Sequence, residues 1–89
     1  MPLEMLRKAK RRTVGTKQTV KAVENKTARK VFIARDADEK VTGEILAQCR
    51  DNAVEVEYVE SMAVLGKACG IDVGAASAAV LNDEPEGGR

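Results

Sequence analysis

The sequence has no histidine and no tryptophan, a single tyrosine (Tyr58), a single phenylalanine (Phe32) and two cysteines, Cys49 and Cys69. Each scarcity excludes something. Without an imidazole, the common acid–base triads and most zinc sites cannot be built. The two cysteines lie 20 residues apart with no Cys-x-x-Cys, so the usual metal spacings are missing and two buried, reduced thiols are expected, with neither metal nor cofactor. Two aromatic residues are too few for a platform on which single-stranded bases stack. No apolar run approaches the length of a membrane span, and Met1-Pro2-Leu3-Glu4 does not begin a secretory signal. A soluble, cytoplasmic protein with no membrane partner is therefore expected. Gly-x-Ser-x-Gly elbows, phosphate loops and dinucleotide fingerprints are also missing. Asp36, Asp38 and Glu39 read as a helix cap and first turn, so no catalytic residue is assigned and no enzyme is expected.

What the chain does contain is charge, unevenly placed. Its 89 residues suffice for one domain, near the lower limit for a core that holds without staples. Overall the net charge is +1, yet residues 1–31 hold ten basic and two acidic side chains, giving +8 and leaving −7 for the rest. Such a dipolar molecule has one face for polyanions and another that repels them, which favours oriented binding.

The pattern predicts helices and strands in alternation. Pro2 suits the first turn of a short helix with Leu3, Met5, Leu6 and Ala9 as its apolar stripe. The basic run 7–12 follows, either as a solvated arm, as phosphate contacts beside the Gly15 turn, or as both. A helix beyond residue 16 should end near Asn25 and Lys26. Val31-Phe32-Ile33-Ala34 is a continuous apolar run that reads as a central strand covered on both faces. Asp36-Ala37-Asp38 offers a cap for a helix to about Asn52, with Val41, Ile45 and Cys49 at helical spacing and Leu46 alongside, despite the cost of Gly43. Residues 54–59 alternate as a strand with one wetter face. Ser61 caps a helix over 62–69, and Gly70 stands where a left-handed C-terminal cap is expected. Propensity alone makes 75–81 helical, but the alternation of elements since Val14 predicts a buried strand over about 77–81. The expected architecture is α/β, a three-layer α-β-α sandwich with a mixed sheet of about four short strands. Residues 1–81 make one domain, and 82–89, with Pro85 and two glycines, read as a disordered acidic tail.

One stretch organises the rest. In Val14-Gly15-Thr16-Lys17-Gln18-Thr19-Val20-Lys21 an extended segment turns at a glycine and opens into a helix, for which Thr16 is the expected N-cap. Lys17 and Lys21, four apart, project from one face beside Gln18. Free N–H groups, the positive dipole end, two ammoniums and an amide form a donor cluster suited to phosphate and to the O6/N7 edge of guanine. A solvated, charged helix start is the alternative.

Two segments together, Gly15-Thr16-Lys17-Gln18-Thr19-Val20-Lys21-Ala22-Val23 and Leu65-Gly66-Lys67-Ala68-Cys69-Gly70-Ile71-Asp72-Val73-Gly74-Ala75-Ala76, resemble the two signature stretches of the L-seven-Ae family of ribosomal proteins, small binders of kink-turn RNA. The resemblance runs through nearly all of residues 13–81 and is closest to the bacterial, ribosomal-protein-like branch. It implies the same sandwich fold and non-catalytic RNA binding. The family's first motif reads Gly-x-Asn-Glu-x-x-Lys; Gly15 and Lys21 match, while Lys17 and Gln18 stand in the Asn and Glu places, a pair bacterial members often carry. Lys17 is a longer, donor-only cation and Gln18 keeps an acceptor without the charge, so Lys17 meets either base or phosphate.

The resemblance also implies that Gly15, Thr16, Lys17, Gln18, Lys21, Ile71, Asp72, Val73 and Gly74 form the RNA site. Ile71 and Val73 would be a second jaw covering an extruded nucleotide; alternatively, both plug the end of the sheet. The implied partner is structured RNA with sheared G·A pairs, ribosomal or from another transcript, alongside other ribosomal components; a purely structural ribosomal subunit is a further reading, different in partner set more than in chemistry. A protein-interaction module on the same fold is the competing reading, since fold does not settle function.

Overall fold

The computed structural model describes residues 2–82, and the side chains from Glu4 onward. Eight elements alternate: α1 (Pro2–Lys8), β1 (Arg12–Val14), α2 (Thr16–Glu24), β2 (Ala28–Ala34), α3 (Glu39–Asp51), β3 (Glu55–Val59), α4 (Met62–Ala68) and β4 (Ser77–Leu81). The sheet order is β1-β4-β2-β3. β4 lies antiparallel between β1 and β2, and β3 runs parallel to β2 at the edge. This is the expected mixed four-stranded sheet between two helical layers.

Alternation along the strands divides the core. Phe32, Ala34, Val59, Ala78 and Val80 face Leu6, Leu65, Ala68 and Cys69 of the α1/α4 layer. Val31, Ile33 and Ala79 face Ala22, Val23, Ile45 and Cys49 of the α2/α3 layer. In β4, Ala78 and Ala79 are fully buried, one on each face, between the two helical layers. Pairing with β1 and β2 on its two sides, against its helical propensity, makes this small-residue run a strand.

Several expectations are refined. α3 points Thr42, Ile45 and Cys49 inward, while Val41, expected in the apolar stripe, is 37% exposed. Asp38 caps α3 by accepting from Lys40 N at 2.9 Å. Asp36 instead accepts from Met62 N at 2.8 Å, joining the entry of α3 to the start of α4. Ser61 caps α4 through Val64 N, and Gly70 takes φ 79° as expected. Asn82, expected to open the tail, still donates from its backbone N–H to Thr27 O at 2.9 Å; the rest of the expected tail, 83–89, lies outside the described residues.

Two of the cations in the basic half serve the fold. Lys30, only 13% exposed, lies within 3.5 Å of both Glu55 and Glu57. Arg12, in the run expected as arm or phosphate contact, turns inward: Nη2 donates to Cys69 O at 2.9 Å, and Nη1 to Leu6 O and Ala9 O at 3.4 Å. One guanidinium thus ties the ends of α1 and α4 together, satisfying carbonyls that a helix end leaves unpaired. Both thiols are free and buried. Burial pushes the pKa of each upward, and the nearby Arg12 charge opposes the rise at Cys69. Arg12→Ala should leave the Ala9 and Cys69 carbonyls without this donor, while Leu6 O keeps the Ala9 N–H, and cost about 1–3 kcal/mol, read as a lower urea midpoint with an unchanged slope. An unchanged midpoint would show that Arg12 is not a structural tie.

Candidate nucleic-acid interface

The turn from β1 into α2 is made by a single residue. Gly15 has φ 100° and ψ 156°, a region essentially closed to residues with a Cβ. Its N–H donates to Ser77 O at 2.8 Å and its carbonyl accepts from Thr19 N at 3.0 Å. Gly15, not Thr16, is therefore the N-cap, and Thr16 is the first helical residue. A glycine cap has no side chain to cover the first turn, and no side-chain cap bond is present. The opening N–H groups of α2 are thus left for an external acceptor, at the positive end of the helix. Beneath them, Thr19, fully buried, shares a 3.0 Å hydroxyl–hydroxyl bond with Thr13 that fixes the helix to β1.

Lys17, Gln18 and Lys21 are all exposed. Lys17 and Lys21, with Thr16 and Val20, form one wall of an open groove of about 670 Å³. The other wall is α3, contributing Lys40, Val41 and Glu44. Three ammoniums thus converge on one groove, offset by Glu24 and Glu44. None of the three is in an ion pair found among the described residues. The α3 wall was missed in the sequence because Val41 fits the helical period of Ile45 and Cys49. The available signal was Lys40 and Glu44 on either side of it, four apart on one face.

The second segment, 70–76, reverses after α4 and runs back along it. Gly70 N–H donates to Lys67 O and Ile71 N–H to Gly66 O, at 3.0 and 3.1 Å, closing the helix with a left-handed glycine. The expected pair then separates. Ile71 is half-buried and packs against the α1/α4 core, whereas Val73 is 69% exposed. Ile71 thus partly fits the alternative of a plug, and Val73 does not. Asp72 and Gly74 are exposed too, and Ile71, Asp72, Val73 and Gly74 border a hollow of about 300 Å³ with Lys67 and Ala63.

Close approach to α4 holds this loop. A Cβ on Gly66 would meet the Val73 carbonyl oxygen, and one on Gly74 would sit 3.1 Å from Met62 Cβ. The segment then meets the α2 opening at one end of the sheet, because Ala34 N–H donates to Ala76 O and Gly15 N–H to Ser77 O.

The family model for the ribosomal protein L7Ae/L30e/S12e/Gadd45 family matches residues 2–86. The chain belongs to this family. It is 48% identical over 69 residues to an RNA-binding protein of Caldanaerobacter subterraneus subsp. tengcongensis, covering 78% of this chain and 84% of that one. It is 44% identical over 80 residues to an RNA-binding protein of Halalkalibacterium halodurans, covering 90% and 98%. Among solved structures, the 15.5 kD RNA-binding protein of Giardia lamblia superimposes with a TM-score of 0.84 at 25% identity, covering 93% of this chain and 72% of that one. A family member thus carries a glycine-opened helix with Lys17 and Gln18 beside Gly15, and an exposed valine on the facing loop.

Because Val73 is exposed, Val73→Asp should shift the unfolding free energy by no more than about 0.5 kcal/mol. Gly66→Ala, forcing a methyl into the Val73 carbonyl, should cost about 1–3 kcal/mol. Thermal melts of the two variants check both. A destabilised Val73→Asp would place Val73 in the core.

Proposed function

We propose that this protein is a non-catalytic RNA-binding protein that recognises kink-turn RNA, with ribosomal RNA or another structured transcript as its cytoplasmic partner. The observation that carries the reading is the meeting, at one end of the sheet, of an uncapped helix start bearing Gly15, Thr16, Lys17, Gln18 and Lys21 with a loop that exposes Asp72, Val73 and Gly74. Relatives named as RNA-binding proteins support RNA as the partner class.

The chemistry follows from the shape of RNA. Regular A-form duplex hides its base edges in a deep, narrow major groove, so side chains cannot read it. A sharp bend beside sheared G·A pairs opens that groove and presents guanine O6 and N7. Lys21 and the Gln18 amide are of a length to reach those acceptors from the first turns of α2. Lys17 and the free N–H groups then meet crowded phosphates at the dipole's positive end. Val73 covers an unstacked nucleotide, for which an exposed apolar side chain on a fixed loop is the suitable surface. Ile71, half-buried against the α1/α4 core, holds the loop in place and offers less contact.

The competing reading is a protein-interaction module, for which the exposed Val41 in the groove is the one observation. Lys17, Lys21 and Lys40 around it favour the polyanion, because a protein-binding patch is depleted of charge at its centre.

A gel-shift titration should show a kink-turn RNA bound more tightly than a straight duplex of equal length, with a salt slope reflecting on the order of three to six phosphates. Equal affinity for both RNAs at every salt concentration would remove kink-turn recognition. Lys21→Ala should cost about 1–3 kcal/mol of that discrimination, while Arg29→Ala leaves it nearly unchanged. If Lys21→Ala lowered only the salt slope, Lys21 would be a phosphate contact and the readout would lie elsewhere. Val73→Asp, folded, should weaken kink-turn binding by placing a carboxylate against RNA; binding equal to wild type would exclude Val73 from the interface.

A further inference from the structure

The opposite end of the sheet carries charge that the site above does not use. Leu81 N–H donates to Arg11 O, Leu81 pairs with Ala28, and Asn82 N–H donates to Thr27 O. β4 is therefore a bridge holding the segment 10–11 on one side and 26–29 on the other, about 10 Å apart across two strand spacings. Lys10, Arg11, Lys26 and Arg29 are all exposed there, and none is in an ion pair found among the described residues. Glu55, the carboxylate at the start of the neighbouring strand, is held by Lys30.

Two features show that Lys26 and Arg29 are not there merely to serve the fold. First, the end of α2 needs no basic side chain: its carbonyls accept backbone N–H groups, Asn25 to Lys21 O, Lys26 to Val23 O and Thr27 to Ala22 O, at 2.9–3.0 Å. Lys26 takes φ 62° to complete this reversal, leaving its ammonium only a 3.4 Å contact to Asn52 Oδ1. Second, Arg29 is the extra residue of a β-bulge. The register steps from Ala28↔Leu81 to Lys30↔Val80, so Arg29 has no partner on β4. A bulge re-aims a side chain at the cost of local pairing.

We propose that Lys10, Arg11, Lys26 and Arg29 form a second, sequence-independent surface that takes the phosphate backbone of an RNA segment distinct from the one bound at the α2 opening. One protein molecule then joins two RNA segments from opposite ends of its sheet. The identity of the polyanion rests on the function proposed above; the surface itself rests on the charge and the bulge. The large hydrophobic side chains exposed among the described residues are Val41, Tyr58, Val64 and Val73, none of them at this end. A protein partner would lack the apolar contact its interface centre needs, whereas a phosphate backbone needs only cations.

The test uses the full chain, in which Asp83, Glu84 and Glu86 follow directly in sequence and their charge is present. The probe is a straight RNA duplex, titrated by fluorescence anisotropy from low to physiological salt. Two variants are compared: Lys10→Gln/Arg11→Gln/Arg29→Gln with Lys26→Asn, asparagine being tolerant of positive φ, and Lys17→Gln/Lys21→Gln. The first should lower straight-duplex affinity at least tenfold and flatten the salt slope by about two to four, while keeping the preference for a kink-turn. The second should lose that preference and keep most of its straight-duplex binding. A charge-preserving variant, Arg11→Lys/Arg29→Lys, should bind the duplex as wild type does, which separates charge from damage to the fold.

Straight-duplex binding unchanged in the first variant, or lost in the charge-preserving one, overturns the second surface. So does duplex binding that disappears with Lys17 and Lys21. Equal affinity of the wild type for kink-turn and straight RNA, with the first variant still weakened, would instead overturn kink-turn recognition and leave the second surface standing.

Discussion

The hydrogen bonding of β4 to strands on both sides is the constraint on which the rest of the molecule depends. Its first three residues are small and buried, and its position between β1 and β2 joins the chain's beginning to its middle. At the start of β4, the carbonyl of Ser77 receives the N–H of Gly15 and so sets where α2 opens. The loop that feeds β4 must therefore arrive beside that opening. At the other end, the same strand brings Arg11 and Thr27 to its two flanks. Both charged ends of the protein are consequences of one ladder.

The fold separates two uses of positive charge. Lys30 and Arg12 are partly buried, and each is met by acceptors, since a buried cation without partners is costly. Lys17, Lys21 and Lys40 gather in an open groove instead, with carboxylates only at Glu24 and Glu44. Their mutual repulsion is screened by water and salt in the free protein. A polyanion in the groove would relieve it further, as its condensed counterions leave. The absence of a side-chain cap on α2 belongs to the same arrangement: a capping hydroxyl would compete with a phosphate for the N–H groups. At the same end of the sheet lies the loop 71–74, whose path along α4 depends on Gly66 having no side chain.

Much of the fold was legible in the sequence because hydrophobic periodicity and capping are local. The strand Val31-Phe32-Ile33-Ala34, the caps Asp38 and Ser61, the left-handed Gly70 and the strand over 77–81 were all read from neighbouring residues and order alone. So were the exposed Lys17, Gln18 and Lys21, because lysines and an amide on the outer face of an amphipathic helix have nowhere else to go. The two glycine-bounded segments were also visible as a pair, through the family they resemble.

The tertiary structure decided what depends on residues distant in sequence. Periodicity placed Val41 in the core, but helix α3 is rotated by its contacts with α2 and the sheet so that Thr42 goes inward and Val41 borders a groove. Arg12 read as one of a basic run, yet its acceptors include a carbonyl 57 residues away. Thr16 had the chemistry of a cap, but the unusual dihedrals at Gly15, set by its bond to Ser77, moved the helix start by one residue. Ile71 and Val73, alike in the sequence, were told apart only by which of them the packed helices α1 and α4 had room to receive. Composition and period specify which residues seek burial or water; only the assembled layers determine which of them obtain it.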